Sequence, residues 1–128
     1  MSRPASSRAE RGARAERRGR AAEDAAAAAL SAEGWAVLAR RLRTEAGEID
    51  LIAERAGLLA FIEVKSRASL AEAAFSLTPR QRRRLLAAAG IVLAEQPGWG
   101  RAGVRFDVIV VDAVGRLRRI SDAFRADD

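Results

Sequence analysis

Apolar and polar positions along this chain follow two periods, and they change character in a definite order. Residues 1–18 show neither period; they are polar and Arg-rich, and are expected to form a disordered tail. From about Arg20 to Glu33 an Ala-rich run has high helix propensity, with Gly34 well placed just beyond its C-terminal cap. Trp35 to Arg43 alternates roughly and reads as a strand. Glu48 to Glu54 and Leu58 to Ser66 are β-rich runs on either side of Ala56-Gly57, which is a hairpin signal. Thr78 to Glu95 reads as a helix, with Thr78 as N-cap, Pro79 in the first position and Gln81 completing a capping box; Pro97-Gly98 ends it. Val104 to Asp112 (VRFDVIVVD) is a buried-type strand, and Gly115 turns it into a short last strand, Arg116 to Ile120. The order αβββαββ predicts a single α/β domain over residues 19–123 with a mixed sheet.

The hairpin pattern gathers charge. If Ala56 and Gly57 form the loop, Arg55 pairs with Leu58, and the same register puts Asp50 opposite Glu63. Side chains alternate along a strand, so Glu63 and Lys65 share a face that Asp50 joins. Glu48 falls on that face as well, either beside the site or paired with an Arg. Ile52, Leu59 and Phe61 continue the same face, while Ile49, Leu51, Ala60, Ile62 and Val64 make the other. Both are apolar, so the hairpin is expected to be central and covered on both sides. Opposed residues have Cβ atoms about 5 Å apart. Two carboxylates at that distance repel, and burial raises the cost. A divalent cation between Asp50 and Glu63 would compensate. The competing reading is a Lys65–Glu63 salt bridge at a solvated strand end, and a one-residue bulge would break the register. Glu23 heads the apolar stripe of Ala26, Ala27 and Leu30 on the first helix. It needs a metal or an Arg partner there, unless it remains wet in the helix's first turn.

Composition narrows the chemistry. There is no Cys and no His. That excludes disulfides, thiolate metal sites and every triad built on imidazole. Acid–base chemistry is left to carboxylates, lysine or a metal-bound water. The chain holds 30 Ala and 22 Arg but a single Lys, Lys65. Arg cannot replace a compact, titratable ammonium, so position 65 draws attention. Net charge is +6, of which the first 20 residues carry +5 and the other 108 carry +1. The balanced remainder makes local clusters more telling than the total. Arg40, Arg41 and Arg43, then Arg80, Arg82, Arg83 and Arg84, and last Arg116, Arg118 and Arg119 are candidate phosphate contacts or solvated faces. The longest apolar run, Leu85 to Ala94, is about half of what a bilayer needs. No apolar segment follows the basic start, and Glu10 and Glu16 argue against a transit peptide, so a cytoplasmic protein without membrane contact is expected.

The block from Gly47 to Arg67, GEIDLIAERAGLLAFIEVKSR, resembles the signature of the YraN family, small bacterial proteins predicted to be endonucleases and related to archaeal Holliday junction resolvases. The likeness extends from Gly19 to Val111 and takes in Glu23, Gly34-Trp35, LTPRQRRRLLAAA from Leu77 and RFDV from Arg105. It implies a restriction-endonuclease-like, PD-(D/E)XK αβββαβ core with a central mixed sheet flanked by helices. It further implies Mg²⁺ or Mn²⁺ held by Asp50 and Glu63, with Lys65 as the third motif residue and Glu23 as the acid of the first helix. The 12 residues between Asp50 and Glu63 suit that group. Gln81 would match a functional position on the later helix, although the capping box explains it equally well. The chain departs from the pattern at Arg80, where Lys is usual, at Ala22, where Gly is usual, and at Arg41, where Asn is common. Asp107 in RFDV is expected to be structural, Trp35 to lie in the core and Trp99 to anchor a loop.

The function expected is metal-dependent hydrolysis of phosphodiesters in nucleic acid, DNA in the first instance, with Glu23, Asp50, Glu63 and Lys65 as its chemical centre. Arg40, Arg43, Arg67, Arg80, Gln81, Arg83 and Arg84 are the candidate nucleic-acid contacts. A homodimer would suit a cutter acting on two strands. Two rivals belong to other classes. One is a non-catalytic nucleic-acid-binding module on the same fold; the other is an interaction protein whose Arg-rich tail recruits an acidic partner.

Overall fold

The structure, a computed structural model, describes residues 7–70 and 77–124, with the side chains of 13–18 excepted. The elements run α1 (Arg8–Ala32), β1 (Ala36–Thr44), β2 (Gly47–Arg55), β3 (Leu58–Ser66), α2 (Pro79–Glu95), β4 (Gly103–Val111) and β5 (Leu117–Phe124), the order that the pattern predicts. The strands form one sheet in chain order, β1-β2-β3-β4-β5. All neighbours are antiparallel except β3 and β4, which run parallel because α2 carries the chain back between them. This is the α/β fold with a mixed sheet, consistent with a restriction-endonuclease-like core.

Each sheet face packs on one helix. On the α2 side Ile52, Leu59, Phe61, Phe106, Val108 and Val110 meet Leu85, Ala88, Ala89 and Val92. On the α1 side Leu51, Ala53, Ala60, Ile62, Ile109 and Val111 meet Ala22, Ala26, Ala27, Leu30 and Trp35. Burying a Leu, Ile or Phe in such a layer stabilises the fold by about 1.5–3 kcal/mol. The small Ala side chains of α1 let that helix lie close to the strands.

The local caps form as the sequence predicts. Gln81 N–H donates to Thr78 Oγ1 at 3.1 Å, and Thr78 N–H donates to Gln81 Oε1 at 2.9 Å. At the end of α1, Gly34 takes φ +89°. Trp35 N–H then reaches Leu30 O at 3.0 Å and Gly34 N–H reaches Ser31 O at 3.1 Å, a Schellman closure. Trp35 is buried, and Trp99 packs against the α2-side core.

Three expectations need correction. Of the tail expected over residues 1–18, residues 1–6 lie outside the described residues, and the rest is helical from Arg8, where α1 opens with Ser7 as N-cap. Arg, Ala and Glu are strong helix formers, and a helix already anchored by Ala22 to Leu30 propagates at little cost. Strand β5 continues to Phe124 rather than stopping at Ile120. A register shift against β4 and a left-handed Asp122 (φ +53°) let Phe124 stack on Phe106 at 4.8 Å. Ile49 joins the α2-side core with Ile52 instead of following Leu51 to the α1 side. No helix among the described residues is long and apolar enough to cross a membrane.

Candidate metal centre

Strand β2 lies between β1 and β3; its register against β1 shifts between Val37 and Ala39, and its pairing is interrupted again at Asp50. Towards β3, the register runs from Arg55↔Leu58 to Leu51↔Ile62, as the hairpin predicts. It stops there. In place of a ladder bond, Val64 N–H donates to Asp50 Oδ2 at 2.8 Å. Towards β1, Arg40↔Leu51 and Leu42↔Ile49 flank the Arg41/Asp50 level, where Arg41 adopts φ +49°. This irregularity moves Ile49 across the sheet and frees the Asp50 side chain to meet groups from both layers. Gly47 starts the strand at φ +138°, and a Cβ there would lie 2.8 Å from the Cγ and Cδ of Arg84. The glycine of GEID is thus required twice, by backbone conformation and by the Arg84 stem laid against it.

Carboxylate oxygens of Glu23, Glu48 and Asp50 lie within 4.8 Å of one another. Glu23 comes from α1 and is buried, Glu48 is partly exposed and Asp50 is half-buried. Burial, together with repulsion from Glu63, pushes Asp50 up from 3.8 to about 7, against the Val64 N–H that favours its ionised form. Glu23 and Glu48 add to the upward shift. Such a group of hard oxygen donors fits a divalent cation that prefers oxygen ligands.

Glu63 and Lys65 stand beside this cluster on β3. Lys65 Nζ and Arg84 Nη2 each lie 3.3 Å from Glu63 Oε1. The salt bridge that competed with the metal reading is therefore present. Among the described residues, the converging carboxylates are Glu23, Glu48 and Asp50; Glu63, expected as the second ligand, repels Asp50 while it engages the two cations. Glu23 has the Arg partner that its place on the apolar stripe required, since Arg41 Nε donates to Glu23 Oε2.

The other basic candidates divide by position. Arg84 touches the site through Glu63, and Arg43 Nε lies 3.7 Å from Glu48 Oε2. Arg40 pairs with Asp24 on α1. Arg67, just past β3, donates its N–H to Val111 O at 2.9 Å and its guanidinium to Ser66 O at 2.8 Å. Arg80 and Arg83 are exposed in the first turns of α2. Gln81 spends its amide oxygen on the cap. Two residues are more central than the sequence implied. Glu48 shares the face of Asp50 by parity, which was a usable signal. Arg41 was visible as one of three clustered arginines and as a departure from the resembled pattern, with no link to Glu23.

A further buried carboxylate, Asp107, is held in a network of its own. Asp107, with 0% exposure, receives Arg105 and Arg119 on Oδ2 and the Asp122 N–H on Oδ1. The guanidinium groups of Arg55, Arg105 and Arg119 stack on Trp35 with centroid distances of 4.8, 5.1 and 4.9 Å. A cleft of about 720 Å³ lies near the starts of β3 and β4, away from the carboxylates, lined mainly by apolar groups such as Leu58, Leu86, Phe106 and Phe124, with Arg105 and Asp122 beside them.

Residues 22–111 match the model of the uncharacterised protein family UPF0102. A UPF0102 protein of Granulibacter bethesdensis is 62% identical over 118 residues, covering 92% of this chain and 75% of the relative. Those of Acidiphilium cryptum and Azorhizobium caulinodans are 57% and 54% identical, covering 90% and 84% of this chain and 89% and 82% of their own lengths. The chain belongs to the UPF0102 family, the YraN group whose signature the GEID and EVK segments resemble.

Proposed function

We propose that this protein is a metal-dependent endonuclease that hydrolyses phosphodiester bonds in nucleic acid, with branched or otherwise structured DNA as its substrate class. The observation that carries the reading is the convergence of Glu23, Glu48 and Asp50 beside the Glu63–Lys65 pair, a set that stability alone does not call for. Pure binding of nucleic acid needs cations at the surface, not carboxylates driven together below it. Asp50 and Glu48, with Glu23, would hold Mg²⁺ or Mn²⁺, and Glu63 would join them once released from Arg84 while keeping Lys65 beside it. A bound ion of this kind supplies Lewis-acid polarisation of the phosphate and a more acidic water. The chain's own residues do the rest. The Val64 amide fixes the Asp50 carboxylate, and Glu63 holds the Lys65 ammonium where it can orient the attacking water and meet developing negative charge. Arg43, Arg80 and Arg83 would hold phosphates on either side without reading bases. A homodimer would let two such sites act on two strands, in the cytoplasm where the nucleic acid lies.

Incubating the protein and its Asp50→Ala variant with a panel of matched junction, flap, nicked, duplex, single-stranded and RNA substrates in Mg²⁺ or Mn²⁺ tests this. Cleavage by the native protein only is expected. A second reading, a non-catalytic nucleic-acid-binding module, is favoured by one observation: Arg41, Lys65 and Arg84 already neutralise part of the acidic charge. Equal binding by both proteins with no cleavage of any substrate would establish it instead.

A further inference from the structure

We propose that Arg41 is a resident counter-cation of the carboxylate cluster, and that a divalent ion enters by displacing its guanidinium from Glu23. The inference rests on the metal-site reading and concerns what occupies that site before the metal.

Arg41 projects from β1 at the level of Asp50, between the Arg40↔Leu51 and Leu42↔Ile49 pairs. Its backbone is left-handed, at φ +49°, a conformation costly for a long side chain and common for Asn. Its Nε donates to Oε2 of Glu23, the buried acid of the cluster. The hydrogen bond to Glu23 and the charges of Glu48 and Asp50 all favour its protonated form. The strained residue thus delivers a positive charge to a place where three carboxylates repel one another.

A guanidinium and a divalent ion compete for the same acid. An ion held by Glu23, Glu48 and Asp50 would compete with Arg41 for the Glu23 carboxylate, whose Oε2 the guanidinium now engages, and the two cations would repel each other over the same group. The ion carries twice the charge and takes several oxygens at once. Arg41 contributes one charge through a half-exposed side chain of 40% accessibility, so it can retreat to water at small cost. Its bond to Glu23 nevertheless lowers the apparent affinity of the empty-handed protein for metal. Apparent affinity scales with the fraction of molecules in which Glu23 is released. Once displaced, Arg41 stays within reach of the site's mouth, where the phosphate of a bound strand supplies a new partner.

The test is Mn²⁺ binding by titration calorimetry on the full chain without nucleic acid, comparing native protein with Arg41→Asn and Arg41→Lys. Asn keeps the left-handed backbone and removes the charge. Arg41→Asn is expected to bind Mn²⁺ about fivefold to tenfold more tightly, with Arg41→Lys between the two. In the native protein, the Arg41 Nε–H resonance is expected to leave its hydrogen-bonded position as Mg²⁺ is added, a readout that needs no variant to fold. Equal or weaker Mn²⁺ binding by Arg41→Asn, or an Arg41 resonance unmoved at saturating Mg²⁺, overturns the displacement while leaving the metal site intact. No Mn²⁺ uptake by any of the three proteins overturns both.

Discussion

The backbone N–H of Val64 donates to the Asp50 carboxylate at 2.8 Å, just beyond the point where the β2–β3 ladder ends at Leu51↔Ile62. A side-chain oxygen thus takes the place of a strand carbonyl, and the aspartate is fixed by the sheet it interrupts. The hydrogen bond favours the ionised form, yet burial and the neighbouring carboxylates outweigh it.

This predicts how the metal-free protein responds to pH. Asp50 titrates at about 7 in the fold against 3.8 when unperturbed. The fold therefore binds its proton more tightly than the unfolded chain does. The stability associated with that proton is fully present below pH 4 and is lost as pH rises through 7. Each unit of difference is worth about 1.4 kcal/mol, so roughly 2–4 kcal/mol of stability is expected to disappear across the window. Thermal melts in chelator should show a falling contribution from pH 4 to 7.5, one that Asp50→Asn removes and Mg²⁺ offsets. Identical pH profiles for native protein and Asp50→Asn would refute it.

Gly47 gives a prediction with a built-in control. Any Cβ there is strained by φ +138° and meets Arg84 at 2.8 Å. Gly47→Ala is expected to lose about 1–3 kcal/mol of stability and to displace Arg84 from Glu63. Adding Arg84→Ala should restore only the steric part, leaving the backbone cost. Full recovery in the double variant would mean that the backbone conformation costs nothing.

The features legible in the sequence are those decided locally. The hairpin register follows from a two-residue loop, the α2 capping box from Thr78, Pro79 and Gln81, and the end of α1 from Gly34. The α1 acid is legible too, because Glu23 sits where a solvated carboxylate would be wasted. What escaped depends on tertiary geometry. The left-handed Arg41 and the pairing gap at Asp50 carry Ile49 to the other face, and alternation alone cannot report a bulge. With that distortion Asp50 gathers with Glu23 and Glu48, and Glu63 is left to Lys65 and Arg84. The extension of β5 depends on Asp107 receiving the Asp122 amide 15 residues away, which no window-based pattern contains.

Asp107 should separate structure from chemistry. Its carboxylate touches Arg105, Arg119 and the Asp122 amide, and none of the acids of the metal centre. Asp107→Ala would leave two arginines facing an empty, buried position, a change that typically costs about 3–5 kcal/mol. A large drop in melting temperature is expected, with Mn²⁺ affinity kept at temperatures where the variant is folded. A metal defect in the folded variant would tie this network to the site after all.

Lys65 offers the sharpest test of the chemistry. It is the one Lys among 23 basic residues, and its Nζ lies 3.3 Å from Glu63 with only 18% of the side chain accessible. If it orients the attacking water and meets charge that develops only in the transition state, its removal should lower kcat and spare binding. Lys65→Met is expected to reduce cleavage about 100-fold to 1,000-fold while Mn²⁺ affinity changes less than about threefold. Lys65→Arg should fail to rescue the rate, because a planar guanidinium does not fit the position of a compact ammonium. Single-turnover cleavage of the best substrate, run beside metal titrations of the same three proteins, separates these outcomes. Native rates in Lys65→Arg would reduce the residue to a counter-charge for Glu63, one that any cation could replace.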